Sequence, residues 1–500
     1  MELHKLLNGI IADNEIKKYE NIDIKGVTDD TRKVKKDFLF VCKTGKNFDS
    51  RFSSINTMVV GAAIVAATCD TAALDLPFSG ETADREYWLG ELQKRQIIIP
   101  DAEEFYGKVC ARFFGDPQDK LKFIGVTGTN GKTTTACVLH TVLMKMGIKA
   151  GLIGTINVLI GNDELKHSDN TTPLAYEFFE ILSKMVSAGC EYAVMEVSSF
   201  GLVQKRTHPT HFDISLFTNL TSEHLDYHDT MEEYYKAKKL LFENSDIAVI
   251  NTDDDYGLRL FSEIDCEKFS FGTSDAAYFQ AEPININPNT AKFIFSQNDF
   301  SREINMKMPG LFNTYNVAGV LAICRILKLD FDKVTDIISK YNGVKGRSEI
   351  IPTGRDFSVI CDYAHTPDAL ENILKSIKTY CKGRLIVLFG CGGNRDASKR
   401  PLMAQVVYEY ADIIIATSDN PRAEDPEKIL DDVMTGLKSD KKVYRITDRE
   451  EAIYKALKLA EKDDIVALCG KGHEDYQVIS ATQVIHFDER EIVHNGLKLL

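Results

Sequence analysis

Apolar residues along this chain fall into short continuous runs and helix-spaced stripes, and their alternation predicts an α/β protein. Runs at residues 38–42 and 62–67 read as strands and residues 103–114 have helical spacing, which predicts a small N-terminal α/β domain over residues 1–120. Within it, residues 70–99 break the pattern: Phe78-Ser-Gly-Glu-Thr and acidic turns suggest an irregular surface insertion. From 121 to 345 strands and helices alternate again. The runs 121–124, 192–197 and 214–220 are nearly continuous, as in a mostly parallel sheet covered on both faces, and helices are expected at 133–146, 234–244 and 310–326. After Gly343-Val-Lys-Gly-Arg-Ser-Glu the pattern restarts. Runs at 357–361, 385–389, 413–416, 443–446 and 465–468, separated by helical stretches, predict a doubly wound, Rossmann-like domain over residues 346–500.

Composition agrees with three domains. The 500 residues, 44% of them hydrophobic, suffice for three ordinary cores at about 150 residues each. Sixty basic against 74 acidic residues leave a net charge of −14, which argues against nucleic acid and anionic membrane surfaces as partners. Anionic ligands must therefore be held by local sites. Eleven cysteines without a C-x-x-C pair, and an N-terminus Met-Glu-Leu-His-Lys without an apolar core, predict reduced thiols and a cytoplasmic protein. The longest apolar stretch, residues 58–67, falls well short of the roughly 20 residues of a membrane helix.

The most telling stretch is Gly125-Val-Thr-Gly-Thr-Asn-Gly-Lys-Thr-Thr-Thr, in which an apolar strand runs into a glycine-rich loop and then a helix. Backbone N–H groups from Gly128 through Thr129, Asn130 and Gly131 to Lys132, with the positive end of the helix, can wrap a phosphate. Lys132 then reaches the outer phosphates and Thr133 can bind Mg²⁺, which makes this a P-loop-type ATPase element. Val126 stands where the usual pattern has its first glycine, so the loop is a variant. The competing reading is a glycine-rich turn that binds nothing.

Ligands of open α/β sheets sit beyond the C-terminal ends of the strands, which directs attention to Glu196-Val-Ser-Ser and Thr218-Asn-Leu-Thr-Ser-Glu-His. Glu196 and His224 are candidate metal ligands there, each with an ordinary structural alternative. On the helix expected at 234–244, Lys238 shares a stripe with Tyr234 and Leu241. A snorkelling lysine is the simpler explanation, although a buried neutral amine can take up CO₂ and become a metal-binding carbamate. The segment Val27-Thr-Asp-Asp-Thr-Arg-Lys-Val holds a polar ligand group or is a plain turn.

In the C-terminal domain, Asp362-Tyr-Ala-His-Thr-Pro follows a strand and can accept from a ribose. Asp419-Asn-Pro-Arg places the acceptors Asp419 and Asn420 beside the fork of Arg422, and Gly470-Lys-Gly-His-Glu adds Glu474; these complement a zwitterionic amino acid. Gly390-Cys-Gly-Gly-Asn-Arg begins like a dinucleotide fingerprint but fails at Arg395.

Taken together, Thr-Gly-Thr-Asn-Gly-Lys-Thr-Thr, Asp169-Asn-Thr-Thr-Pro, Glu196-Val-Ser-Ser, His224-Leu-Asp-Tyr-His, Ala237-Lys, Gly346-Arg, Asp362-Tyr-Ala-His-Thr-Pro and Asp419-Asn-Pro-Arg make residues 20–500 resemble the ATP-dependent Mur ligases of peptidoglycan assembly. The resemblance implies an N-terminal domain for a UDP-sugar, a central ATPase domain, and a C-terminal domain that brings an amino acid. It implies ATP and Mg²⁺ as cofactors, a UDP-N-acetylmuramoyl-dipeptide and meso-diaminopimelate as substrates, an acyl phosphate on the path, and a monomer. Carried over by position, it assigns Gly128–Lys132, Thr133, Thr134, Asn316, Arg347 and Asp362 to ATP. Thr133, Glu196, His224 and Lys238 as a carbamate go to the metal, with Lys132, His224 and Lys238 central to catalysis. Thr31, Thr171, Thr172, Ser198, Gln204 and Arg206 go to the UDP-muramoyl-peptide, and Arg395, Asp419, Asn420, Arg422, Gly470 and Glu474 to diaminopimelate. Asp30-Thr-Arg and Phe200 depart from the family's usual Asp-Ser-Arg and His. The alternatives are a Mur-like or folylpolyglutamate-type ligase for another amino acid such as lysine, and a non-synthetic P-loop ATPase or binding protein.

Overall fold

Buried β-branched and aliphatic runs become strands, and helices cover them. The computed structural model describes every residue except Glu20, Lys46, Asn47, Ser79, Gly80, Asp169, His224 and Ser439. The chain forms two compact units. The first comprises Met1–Gly125, Ile148–Ser215 and Lys236–Asp246, and the second Val126–Gly147, Leu216–Tyr235 and Ile247–Leu500. Mixed α/β structure built on parallel strands runs through both.

The first unit opens with a four-stranded parallel sheet in the order Gly26–Thr28, Phe38–Val41, Ala62–Ala67, Gln96–Ile98. The last of these strands, and the helix Thr82–Arg95 before it, correct the expectation of an irregular insertion at 70–99. Leu92 is fully buried in the domain core and Trp88 and Leu89 pack against it, so this stretch is a structural layer. The helix was hard to see because its other positions are mostly polar and Gly90, a poor helix former, sits inside it. Further strands run in the order Phe212–Phe217, Lys122–Thr127, Tyr192–Glu196, Ala150–Ile153, Asn157–Ile160, Asp163–His167. Gly125 lies inside a strand here. A Cβ on it would come within 2.8 Å of the Phe212 ring, so this glycine serves packing and does not replace the missing first glycine of the loop.

In the second unit, the strands Phe300–Met306, Ala291–Gln297, Phe279–Ile286, Glu267–Gly272 and Ser245–Asn251 follow one another across a sheet. The helix Leu311–Ile326 is buried along most of its length, as its apolar composition requires. The C-terminal part is a six-stranded sheet in the order Glu349–Ile351, Ser358–Asp362, Ile465–Cys469, Leu385–Cys391, Ile413–Ser418, Lys442–Arg445, parallel except for its first strand. Separate apolar clusters cover its two faces, the doubly wound arrangement expected from the restarting pattern.

None of the eleven cysteines, all among the described residues, forms a disulfide, and Cys42, Cys110, Cys190, Cys324, Cys361, Cys391 and Cys469 are buried. Burial pushes the thiols of Cys42, Cys324 and Cys391 up to about 12. Among the described residues, no helix is long and apolar enough to cross a membrane.

Candidate functional site

The strand Lys122–Thr127 delivers the chain into a loop that ends at the helix Lys132–Lys145. Gly128 and Gly131 have φ of +146° and +88°, and a Cβ would lie 1.9 Å from Thr218 Oγ1 at the first and 2.2 Å from Asn316 Oδ1 at the second. Only glycine fits at either place. The loop is also fastened from outside: Thr129 N donates to Asn219 O at 2.8 Å, Asn130 N to Asn219 Oδ1 at 2.9 Å, and Thr218 Oγ1 to Asn130 O at 2.6 Å. Lys132 Nζ donates to Gly128 O at 2.8 Å and Thr129 O at 2.7 Å. The helix begins at Gly131 without a side-chain cap, and Thr133 and Thr134 are buried in its first turn. Glycines that leave no room for a side chain, a lysine at the helix start and an uncapped helix N-terminus form a cradle whose chemistry fits a phosphate. Asn316 packs against Gly131; its Oδ1 accepts from Thr135 Oγ1 at 3.4 Å and its Nδ2 donates to Asn313 Oδ1 at 3.3 Å.

A second cluster lies at the end of the strand Tyr192–Glu196. Glu196 is 1% exposed, and its carboxylate accepts from Thr155 N at 2.7 Å and Thr155 Oγ1 at 2.9 Å. Thr155 Oγ1 is in turn 3.1 Å from Thr171 Oγ1. Thr172 Oγ1 donates to Glu196 O at 3.1 Å and accepts from Ser198 N at 2.9 Å, while Ser198 Oγ caps the helix Ser199–Val203 through Gly201 N at 3.1 Å. Arg206 Nη1 donates to Thr172 O at 2.7 Å, and its Nε to Gln204 Oε1 at 3.0 Å. Thr171, Thr172, Ser198, Gln204 and Arg206 are thus brought together. Thr31 opens a 3₁₀ turn capped by Asp30, so its segment is a turn in form. Lys238 is 2% exposed on the helix Met231–Phe242, beside Tyr234 and Leu241 as expected. His224 lies outside the described residues. Among the described residues, no group of three His, Cys, Asp or Glu side chains gathers as a metal site.

The third cluster occupies the C-terminal edge of the C-terminal sheet. Asp362 ends its strand; its Oδ2 accepts from Ser348 N at 2.7 Å and its Oδ1 from Ala364 N at 2.8 Å. Burial raises the Asp362 carboxyl above the usual range, against the opposing pull of Arg347 and these N–H donors. The Arg347 guanidinium lies 4.8 Å from the Tyr363 ring centroid, and its Nε is buried without a partner. Asp419 and Asn420 follow the strand Ile413–Ser418 and are nearly buried. Gly470 packs against Asp419: a Cβ there would be 2.9 Å from Asp419 Oδ2. Asn420 Nδ2 donates to Glu474 Oε2 at 3.0 Å, and Asn420 Oδ1 accepts from Lys471 Nζ at 3.2 Å and Val478 N at 2.9 Å, so this amide is already engaged within the protein. Arg422 has φ +55° and its Nη1 donates to Gly393 O at 3.0 Å. Arg395 is exposed on the neighbouring loop.

These arrangements accompany clear likenesses to known proteins. The Mur ligase middle domain matches residues 126–324, and the Mur ligase, glutamate ligase domain matches residues 346–472. A protein of Caldanaerobacter subterraneus subsp. tengcongensis named UDP-N-acetylmuramoyl-L-alanyl-D-glutamate--2,6-diaminopimelate ligase is 41% identical over 99% of this chain and 98% of its own length. The chain belongs to the Mur ligase family. Another member, the ligase 1 of the same name from Clostridium acetobutylicum, is 38% identical over the full length of both chains. A solved structure of a ligase of that name superposes with a TM-score of 0.69 at 28% identity, covering 100% of this chain and 99% of that one.

Three residues of this Mur ligase escaped the sequence reading. Thr155 clamps Glu196, and its signal was slight: one polar residue just beyond the short strand Ala150–Ile153. Lys471 lies inside a Gly-Lys-Gly that reads as a turn. Arg449, fully buried, donates to Glu489 Oε1 at 2.9 Å, Cys469 O at 2.9 Å and Ser418 O at 3.3 Å, joining the ends of two strands.

Proposed function

We propose that this Mur ligase is a cytoplasmic, monomeric enzyme that uses ATP to join meso-2,6-diaminopimelate to the D-glutamyl γ-carboxylate of UDP-N-acetylmuramoyl-L-alanyl-D-glutamate. The observation that carries the reading is a glycine-lined phosphate cradle in a chain whose C-terminal sheet edge gathers Asp419, Arg422 and Glu474, supported by full-length relatives that bear this ligase's name. In this reading residues 1–120 serve the nucleotide-sugar end, 121–345 ATP, and 346–500 the amino acid.

Gly128–Thr134 hold the phosphates, and Lys132 offsets their charge. Asn316, Arg347 and Asp362 serve the rest of the nucleotide. A carboxylate is a poor acyl donor, and ATP with Mg²⁺ supplies the phosphoryl group that activates it as an acyl phosphate. The hydroxyl of Thr133 and the carboxylate of Glu196 are oxygen donors suited to Mg²⁺, which is ordinarily held by one or two carboxylates with water and phosphate. His224, and Lys238 after its amine has taken up CO₂ and released a proton, complete the metal-binding set. Thr31, Thr171, Thr172, Ser198, Gln204 and Arg206 hold the UDP-muramoyl-peptide. Arg395 and Arg422 pair with a carboxylate of diaminopimelate, while Asp419, Gly470 and Glu474 surround its ammonium and Asn420 supports Glu474 from behind.

Lysine lacks the second carboxylate of diaminopimelate, so the amino acid used is the sharpest test. With ATP, the UDP-muramoyl-dipeptide and equal diaminopimelate and lysine, mass spectrometry should find the diaminopimelate adduct. A lysine adduct in excess would overturn the substrate assignment. Phosphate release that needs neither substrate would overturn the ligase.

A further inference from the structure

Lys471 is a lysine with no exposed side-chain surface, placed directly behind two residues of the amino-acid pocket. Its neighbours Gly470 and Gly472 have φ of +119° and +53°, and a Cβ on Gly472 would sit 2.6 Å from Tyr363 Cβ and 2.7 Å from Gly346 O. This backbone therefore has one way to pass, and it aims Lys471 inward. The ammonium lies 5.7 Å from the Tyr476 ring centroid and 5.8 Å from that of Phe487. It donates to Glu474 Oε2 at 2.9 Å and to Asn420 Oδ1 at 3.2 Å, and Asn420 Nδ2 closes the triangle on Glu474 Oε2 at 3.0 Å.

An ammonium only donates, so Asn420 must turn its oxygen toward Lys471 and its NH₂ toward Glu474. Both protein donors then converge on Oε2, and Oε1 is the carboxylate oxygen left to receive a ligand's ammonium. We infer that Lys471 is a positioning residue for the amino-acid substrate: it fixes the rotamer of Glu474 and the orientation of Asn420. It does not touch the substrate itself. The inference rests on the reading of this pocket as the amino-acid site.

A positioning role predicts a selective defect. Lys471→Met should raise KM for diaminopimelate about 10-fold or more, with kcat and the KM values for ATP and the UDP-muramoyl-dipeptide within about 3-fold of wild type. A double-mutant cycle shows whether the effect passes through Glu474: on a Glu474→Gln background, Lys471→Met should change the diaminopimelate KM by less than about 3-fold. An unchanged KM in the single variant, a parallel rise in all three KM values, or an equal effect on both backgrounds would overturn the inference. Should Lys471→Met alone fail to fold, the double variant, which removes the charged pair together, is compared with Glu474→Gln and a further KM rise beyond about 3-fold overturns it. If Glu474→Gln by itself leaves the diaminopimelate KM unaltered, the pocket reading falls, and the inference with it.

Discussion

Lys132 Nζ donates to the carbonyl oxygen of Gly128 at 2.8 Å, so the cation that starts the helix also closes the loop before it. Lys132→Ala should lower ligase activity by about 100-fold or more, because it removes both the charge opposite the phosphates and this closure. Thermal unfolding should move little, since the side chain is only part-buried. Retention of most activity would reject the phosphate-loop assignment.

Gly131→Ala should be nearly as damaging without any change of charge. Its φ of +88° and the 2.2 Å approach of a Cβ to Asn316 Oδ1 force the loop to shift. Nucleotide binding by calorimetry is the check, and wild-type affinity would show that the cradle geometry is dispensable.

Lys238→Ala removes a buried side chain, and the proposed carbamate on it would act as a carboxylate. Added acetate should therefore restore part of the lost activity. Restoration by a small amine instead would identify the working group as the cation.

Arg422→Ala tests the choice of amino acid. Breaking one side of a desolvated charge-assisted pair costs on the order of 2–5 kcal/mol. The variant should lose roughly 30-fold or more in kcat/KM for diaminopimelate. Any activity with lysine should fall much less, and equal losses would make Arg422 a structural residue through its bond to Gly393.

Asp464 offers a pH test of stability in the C-terminal domain. Burial alone would raise its carboxyl, but hydrogen bonds from Arg384, at 2.6 Å from both N and Nη2, and from Glu461 N outweigh burial and hold it below the ordinary 3.8. The unfolded chain therefore binds the proton more readily, and stability from this group is full above that value and lost as pH falls through the depressed one. In thermal melts, the advantage of wild type over Asp464→Asn should shrink as pH drops below about 4. A gap that widens there would contradict the sign.

The strands were legible because their apolar runs are buried from both sides, as at Leu385–Cys391, every residue of which is buried. The phosphate loop was legible for a different reason: glycine, lysine and threonine at fixed spacing have few other uses. The helix Thr82–Arg95 was not, because one strip around Leu92 meets the core and the remainder is polar. Thr155 and Lys471 were hidden more thoroughly. Glu196 lies 41 residues from Thr155 and Asn420 51 residues from Lys471 in the chain, and only folding reveals that these pairs meet. Asn420 was read as a vacant acceptor because its lone pairs can be counted from sequence while their occupants cannot.

The buried thiols give this protein a set of internal clocks. Cys42 lies just past the strand Phe38–Val41, Cys324 within the helix Leu311–Ile326, and Cys391 at the end of Leu385–Cys391, each with its thiol held near 12 by burial. At neutral pH an alkylating reagent meets almost no thiolate at these positions until the surrounding layer opens. Pulsed alkylation at rising temperature, read peptide by peptide, would rank the opening of three separate stretches of the chain without a single engineered label.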